Sequence, residues 1–97
     1  MGSEIRHVCL FRLRRELTDA DVAELNRFAA EILRLPGVRS YRFAPNGSKK
    51  AAGFVLVLDS AFASEPDLRA YVAEPIHDAL ARFMDGFVEQ TIVADYA

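Results

Sequence analysis

The stretch IRHVCLFRL, residues 5 to 13, is largely apolar on both of its alternating sides: His7, Cys9, Phe11 and Leu13 share one, Val8 and Leu10 the other. Its β-branched and aromatic content predicts a strand, and a strand that is greasy on both faces needs cover on both. That requirement is severe for a chain of 97 residues. A domain of this size buries only about two thirds of the surface its unfolded chain exposes, which leaves little material for a second layer. A second copy of the same chain is the economical source of the missing cover.

The remaining elements decide how the first cover is built. Thr18, with Asp21 three residues on, predicts a helix N-cap with an acid in the first turn. Val22, Leu25, Phe28, Ala29, Ile32 and Leu33 then recur at helical spacing until Pro36-Gly37 stops them. Residues 38 to 44 (VRSYRFA) alternate as a second strand, Pro45-Asn46-Gly47-Ser48 carries turn chemistry, and residues 53 to 59 (GFVLVLD) form the most hydrophobic strand. So short a connection predicts antiparallel pairing of those two strands. Ser64 caps a second helical segment, with Pro66 and Asp67 in its first turn and Leu68, Tyr71 and Val72 on its inner side. Beyond Pro75 a fresh stripe of Ile76, Leu80, Phe83 and Met84 ends at Gly86, and residues 87 to 95 (FVEQTIVAD) make the last strand. The order β-α-β-β-α-β, with right-handed crossovers, predicts an α+β fold: a ferredoxin-like split sandwich whose four-stranded antiparallel sheet carries both helices on one face. One domain over residues 4 to 97 is expected, with Met1-Gly2-Ser3 set aside as an expression remnant.

Charge and cysteine content exclude several functions. Twelve basic and fourteen acidic residues leave a formal charge of −2 without a block of one sign, which argues against nucleic acid as a partner. No apolar run approaches the roughly 18 residues of a membrane span, and the start lacks the pattern of a signal peptide, so a cytoplasmic protein without membrane partner is expected. Cys9, the single cysteine, rules out a disulfide framework and reads as a small buried thiol rather than a nucleophile. His77, Asp78 and Glu74 diverge around a helix and no pair of histidines stands four residues apart, so no metal is expected. Gly47 and Gly53 lack the spacing of a phosphate-cradling loop, and no cofactor is expected either. Arg12, Arg14 and Arg15 read as a solvated strand end and turn, close enough to a cavity mouth to attract a carboxylate.

Chemistry concentrates in AYVAEPIHDAL, residues 70 to 80, where a proline stands between Tyr71 and His77. On one unbroken helix, residues six apart point about 120° away from each other. Pro75 removes a backbone donor and pushes Glu74 out of helical conformation, so the second segment starts at a new angle and can bring phenol and imidazole toward one cavity. The bland alternative is a proline in the first turn of a new helix and two side chains that never meet.

The strand HVCLFRL, the LPGV turn at Leu35 to Val38, the strand GFVLVLDS, the Tyr71-x-x-x-Pro75-x-His77 segment and the final VADY, taken in this order, resemble the stress-responsive dimeric α/β-barrel family, often called Dabb. The resemblance runs from Arg6 to Tyr96 and extends distantly to plant polyketide cyclases of the olivetolic acid kind. It implies a homodimeric α/β barrel in which two sheets face one another, and a cavity between sheet and helices in each subunit. In the cyclases the equivalents of Tyr71 and His77 act on a poly-β-keto chain, and a first-strand histidine matching His7 sits nearby. In this chain the cavity lining is expected from Cys9, Phe11 and Val55 on strands and from Leu25, Phe28, Val72 and Leu80 on helices. Departures from the relatives at Phe28 and Ala29, at Glu74, and at Ala51 and Ala52 imply a drier, differently shaped cavity.

A histidine with a pKa of about 6.5 can take a proton from a carbon flanked by carbonyls and return it, while a tyrosine donates to the oxygen on which charge develops. The implied catalytic set is therefore His77 as base, Tyr71 as donor and His7 as the residue that orients His77. The expected function is a homodimeric stress-response protein that binds a small, mainly apolar carbonyl compound and catalyses metal-independent proton transfer or cyclisation on it. The alternative is a noncatalytic stress-associated dimer with a filled core.

Overall fold

The computed structural model describes residues 3–97. Of the expected remnant, Met1 and Gly2 lie outside the described residues. The first strand, β1 (Ile5–Leu13), leads into helix α1 (Asp19–Ile32), which begins in a full capping box: the Thr18 hydroxyl accepts from the Asp21 N–H and the Asp21 carboxylate from the Thr18 N–H. Arg15 donates to the same carboxylate at 2.6 Å, which with these bonds holds the Asp21 pKa well below the usual range.

Strands β2 (Val38–Pro45) and β3 (Phe54–Phe62) form the hairpin, and β3 runs three residues further than the hydrophobic run suggested. The extension through Ser60, Ala61 and Phe62 is secured by pairing with β1 and β2 together. The second crossover is broken in two: α2 (Glu65–Val72), capped by Ser64, and α3 (Pro75–Asp85), whose N-cap Glu74 is extended at φ −74° and ψ 143°. That conformation is what a following proline imposes. The last strand is β4 (Val88–Tyr96).

The sheet order is β2-β3-β1-β4, antiparallel throughout, which is the ferredoxin-like arrangement. Register sorts the side chains into two faces. Cys9 pairs with Leu58 and Val93, and Phe11 with Leu56 and Thr91; Cys9, Phe11, Leu56 and Leu58 join Leu25, Phe28, Ile32, Tyr71 and Leu80 of the helices in the core. On the other face Leu10 lies between Val57 and Ile92, with Ala44 beyond Val57, so an apolar row crosses all four strands. No residue of that row belongs to the core, and Ile92 remains 45% exposed.

At the turn before β2, Gly37 adopts φ +80°, a conformation that only glycine takes without strain. A Cβ there would also overlap the side chain of Asp67, in the first turn of α2. The LPGV turn and the start of α2 are therefore packed backbone against side chain, with the Ala63 N–H donating to the Gly37 carbonyl at 2.8 Å.

Candidate active site

The broken crossover brings Tyr71 and His77 together. Their rings meet edge to face, 5.0 Å between centroids and 88° between planes. Tyr71 also lies 6.4 Å from the His7 ring, so the three expected site residues surround one space. That space is a cavity of about 240 Å³ lined by His7, Cys9, Phe11, Tyr41, Leu58, Tyr71, His77, Leu80 and Met84, with Thr91 and Val93 of β4 on one side.

Each polar group has a distinct setting. Nδ1 of His7 lies 2.5 Å from Oδ1 of Asp95, its cross-strand neighbour on β4. A carboxylate can only accept, so Nδ1 carries the hydrogen, and the other ring nitrogen, Nε2, lies 3.5 Å from the Cys9 sulfur. Burial, reinforced by the negative charge of Asp95, pushes the Cys9 thiol up to about 12, so it stays protonated at neutral pH. His77 stands in the first turn of α3, and its Nδ1 is buried with no hydrogen-bond partner. Desolvation pulls its pKa below the ordinary value of 6.5; nearby Asp78 opposes this and His7 adds to it. A neutral imidazole at pH 7 is the form a general base requires. Tyr71, only 3% exposed, shares a 2.5 Å hydroxyl contact with Tyr41, and burial raises its pKa to about 12.

Four of the expected lining residues stand elsewhere. Leu25 and Val55 line a separate cleft at the other end of the sheet, and Val55 sits at a β-bulge, out of register between Leu56 and Phe54. Phe28 stacks on Phe83 inside the helix layer, centroids 5.8 Å apart. Val72, 47% exposed, ends α2 on the outer side of a third groove near Ile5 and Tyr96. Cys9, Phe11 and Leu80 do line the cavity. His7 is held by Asp95 rather than bonded to His77.

Two residues that hydrogen-bond the expected site residues, Tyr41 and Asp95, are not among those expected. Tyr41 could be found by alternation, since Val38, Tyr41 and Phe43 were already the heavy members of β2. Asp95 could not, because its partner is fixed by the β1–β4 register.

The cleft near Val55 is larger, about 710 Å³, and Arg14 and Arg15 stand on it. Both guanidiniums are already engaged, Arg14 with the Asp85 carbonyl at 2.7 Å and Arg15 with Asp21, and no histidine or tyrosine reaches this cleft. Glu16 is its one carboxylate, with no phenol or imidazole beside it. Among the described residues no three of His, Cys, Asp and Glu group as a metal-ligand set.

A ferredoxin-like sheet with a phenol and two imidazoles between it and its helices defines a class of small α+β domains with an internal, mainly apolar cavity. The family model described as "Stress responsive A/B Barrel Domain" (Dabb) matches residues 5–97, and the chain belongs to that family. Among solved structures it is similar to a dimeric ferredoxin-like protein of unknown function from Thermobifida fusca, at 21% identity and TM-score 0.82 over 100% of this chain and 92% of that one. It is similar also to a Dabb family protein from Mesorhizobium loti (23%, TM-score 0.80, 99% and 97%). A third is a hydroxynitrile lyase from Passiflora edulis (17%, TM-score 0.82, 99% and 94%). At these identities the likeness is one of fold. No curated protein matches the chain.

Proposed function

We propose that the protein is a homodimer whose subunits each bind a small, mainly apolar carbonyl compound and catalyse proton transfer on it without a metal. The observation that carries this reading is the convergence of the Tyr71 and His77 rings, 5.0 Å apart, on a cavity that His7 also lines. His77 is the base: burial keeps it neutral, so it can take a proton from the carbon next to the carbonyl. Tyr71 donates a hydrogen bond to the carbonyl oxygen as it gains negative charge, and the apolar walls strengthen that bond by excluding water. Returning the proton to the same or another carbon gives exchange, tautomerisation or ring closure.

Pairing is supported by the apolar row of Ala44, Val57, Leu10 and Ile92 on the face without helices, and by the dimers described for the Thermobifida fusca protein and others of this fold. A free, unpaired thiol at Cys9 suits a reducing compartment such as the cytoplasm, and no helix among the described residues is long and apolar enough to cross a membrane. The noncatalytic alternative draws on the near-complete burial of Tyr71 and the engagement of its hydroxyl with Tyr41.

The test is exchange of the methyl hydrogens of acetophenone, a small apolar aryl ketone, into deuterated water, followed by proton NMR. Wild-type protein should accelerate exchange over buffer, and His77→Gln should lose roughly 10²–10⁴-fold of that acceleration while keeping the wild-type subunit number. Undiminished exchange by His77→Gln would remove the base; no acceleration by wild type would favour the noncatalytic dimer.

A further inference from the structure

We propose that Tyr41 is a positioning residue for the cavity: its hydroxyl donates to the Tyr71 oxygen, frees the Tyr71 hydrogen for the ligand and steadies the charge that grows on that oxygen. The inference rests on the reading of Tyr71 as a donor to a developing oxyanion. Tyr41 lies on the core face of β2, in the same cross-strand row as Ser60 and His7, and is 5% exposed. Its ring meets that of Tyr71 at 5.6 Å and 67°, and the two oxygens are 2.5 Å apart.

Each phenol has one hydrogen to give. Tyr71 is the only hydrogen-bond partner of the Tyr41 hydroxyl among the described residues. Were Tyr71 the donor, its hydrogen would be spent on Tyr41, and a ligand oxygen would meet only lone pairs. With Tyr41 as donor the chain runs Tyr41 to Tyr71 to ligand, and each bond polarises the next. As Tyr71 shares its hydrogen with an oxyanion, negative charge develops on its own oxygen, the atom that Tyr41 is placed to serve. The contact acts in the same sense on the Tyr71 phenol, opposing the upward pull of burial, while on Tyr41 the neighbouring Tyr71 reinforces it. Two phenols in series thus make a donor that neither makes alone, in a site with no backbone N–H assigned to the task.

The probe is 4-nitrophenol in its phenolate form, a flat apolar oxyanion read by its absorbance, titrated into wild type, Tyr41→Phe, Tyr71→Phe and the double variant. Tyr41→Phe keeps the ring contacts with Phe43 and Tyr71 and removes only the hydroxyl. The expected result is about tenfold weaker binding in Tyr41→Phe, the range of a hydrogen bond to a charged group, and no further loss when Tyr41→Phe is added to Tyr71→Phe. A role for the Tyr41 hydroxyl that does not run through Tyr71 would cost the same in both backgrounds, and that outcome overturns the proposal. So does unchanged affinity in Tyr41→Phe. If wild type fails to bind the phenolate at all, the oxyanion reading of the cavity falls and takes this inference with it. If Tyr41→Phe alone folds poorly, the step from Tyr71→Phe to the double variant still decides, since a further loss of affinity there overturns the proposal.

Discussion

His77 is the residue whose environment speaks most directly to its use. Its folded pKa lies below the unfolded value of 6.5, so the unfolded chain binds the proton more readily. The stability this group contributes is therefore complete above about pH 6.5 and is lost as pH falls through that value toward the folded one. Between about pH 7.5 and 5.5, the urea midpoint of wild type followed by circular dichroism should fall more steeply than that of His77→Gln; equal slopes would mean that the imidazole is not desolvated. The meeting of Tyr71, His77 and His7 around one cavity was legible in the sequence through the proline between the first two and through the family resemblance. Of Tyr41 only the inward place on β2 was readable, and Asp95 was not readable at all, because a hydroxyl-to-hydroxyl contact across thirty positions and a pairing across 88 depend on packing and register that periodicity does not carry.

At the level of elements, local chemistry was the readable part. The Thr18 and Ser64 caps and the Pro75 break stand where residue type placed them, since each acts within a few residues of itself; α1 ends at Ile32, a few residues ahead of Pro36-Gly37. The lining of the cavity was harder to read, because which inward residues meet Tyr71 and His77, Leu58 and Met84 among them, depends on how helices and sheet pack. Gly37 shows how tightly one such local signal is tied to tertiary structure. Its left-handed φ and the adjacent Asp67 side chain leave no room for a methyl group. Gly37→Ala should destabilise the protein by about 2 kcal/mol or more, read from the urea midpoint, through strain and displacement of Asp67 from the start of α2. A loss within about 0.5 kcal/mol, the range of neutral surface changes, would show that the turn relaxes freely.

For the whole molecule the governing fact is a sheet with helices on one side only. His7, Cys9, Tyr41 and Asp95 of the site are mounted on that sheet, and its bare face carries the row Ala44, Val57, Leu10 and Ile92. The two apolar sides of IRHVCLFRL already posed this problem in the sequence, and the register places Leu10 near the middle of the unsolved half. In the proposed dimer, burying that row against its copy would stabilise the sheet that holds the cavity, at roughly 25 cal/mol per Å² of apolar surface removed from water. The most direct measurement is native mass spectrometry of freshly purified wild type over a range of concentrations. The expected spectrum is dominated by the mass of two chains, with a small molecule retained when the cavity is filled; a single chain persisting at the highest concentration would contradict the proposed pairing.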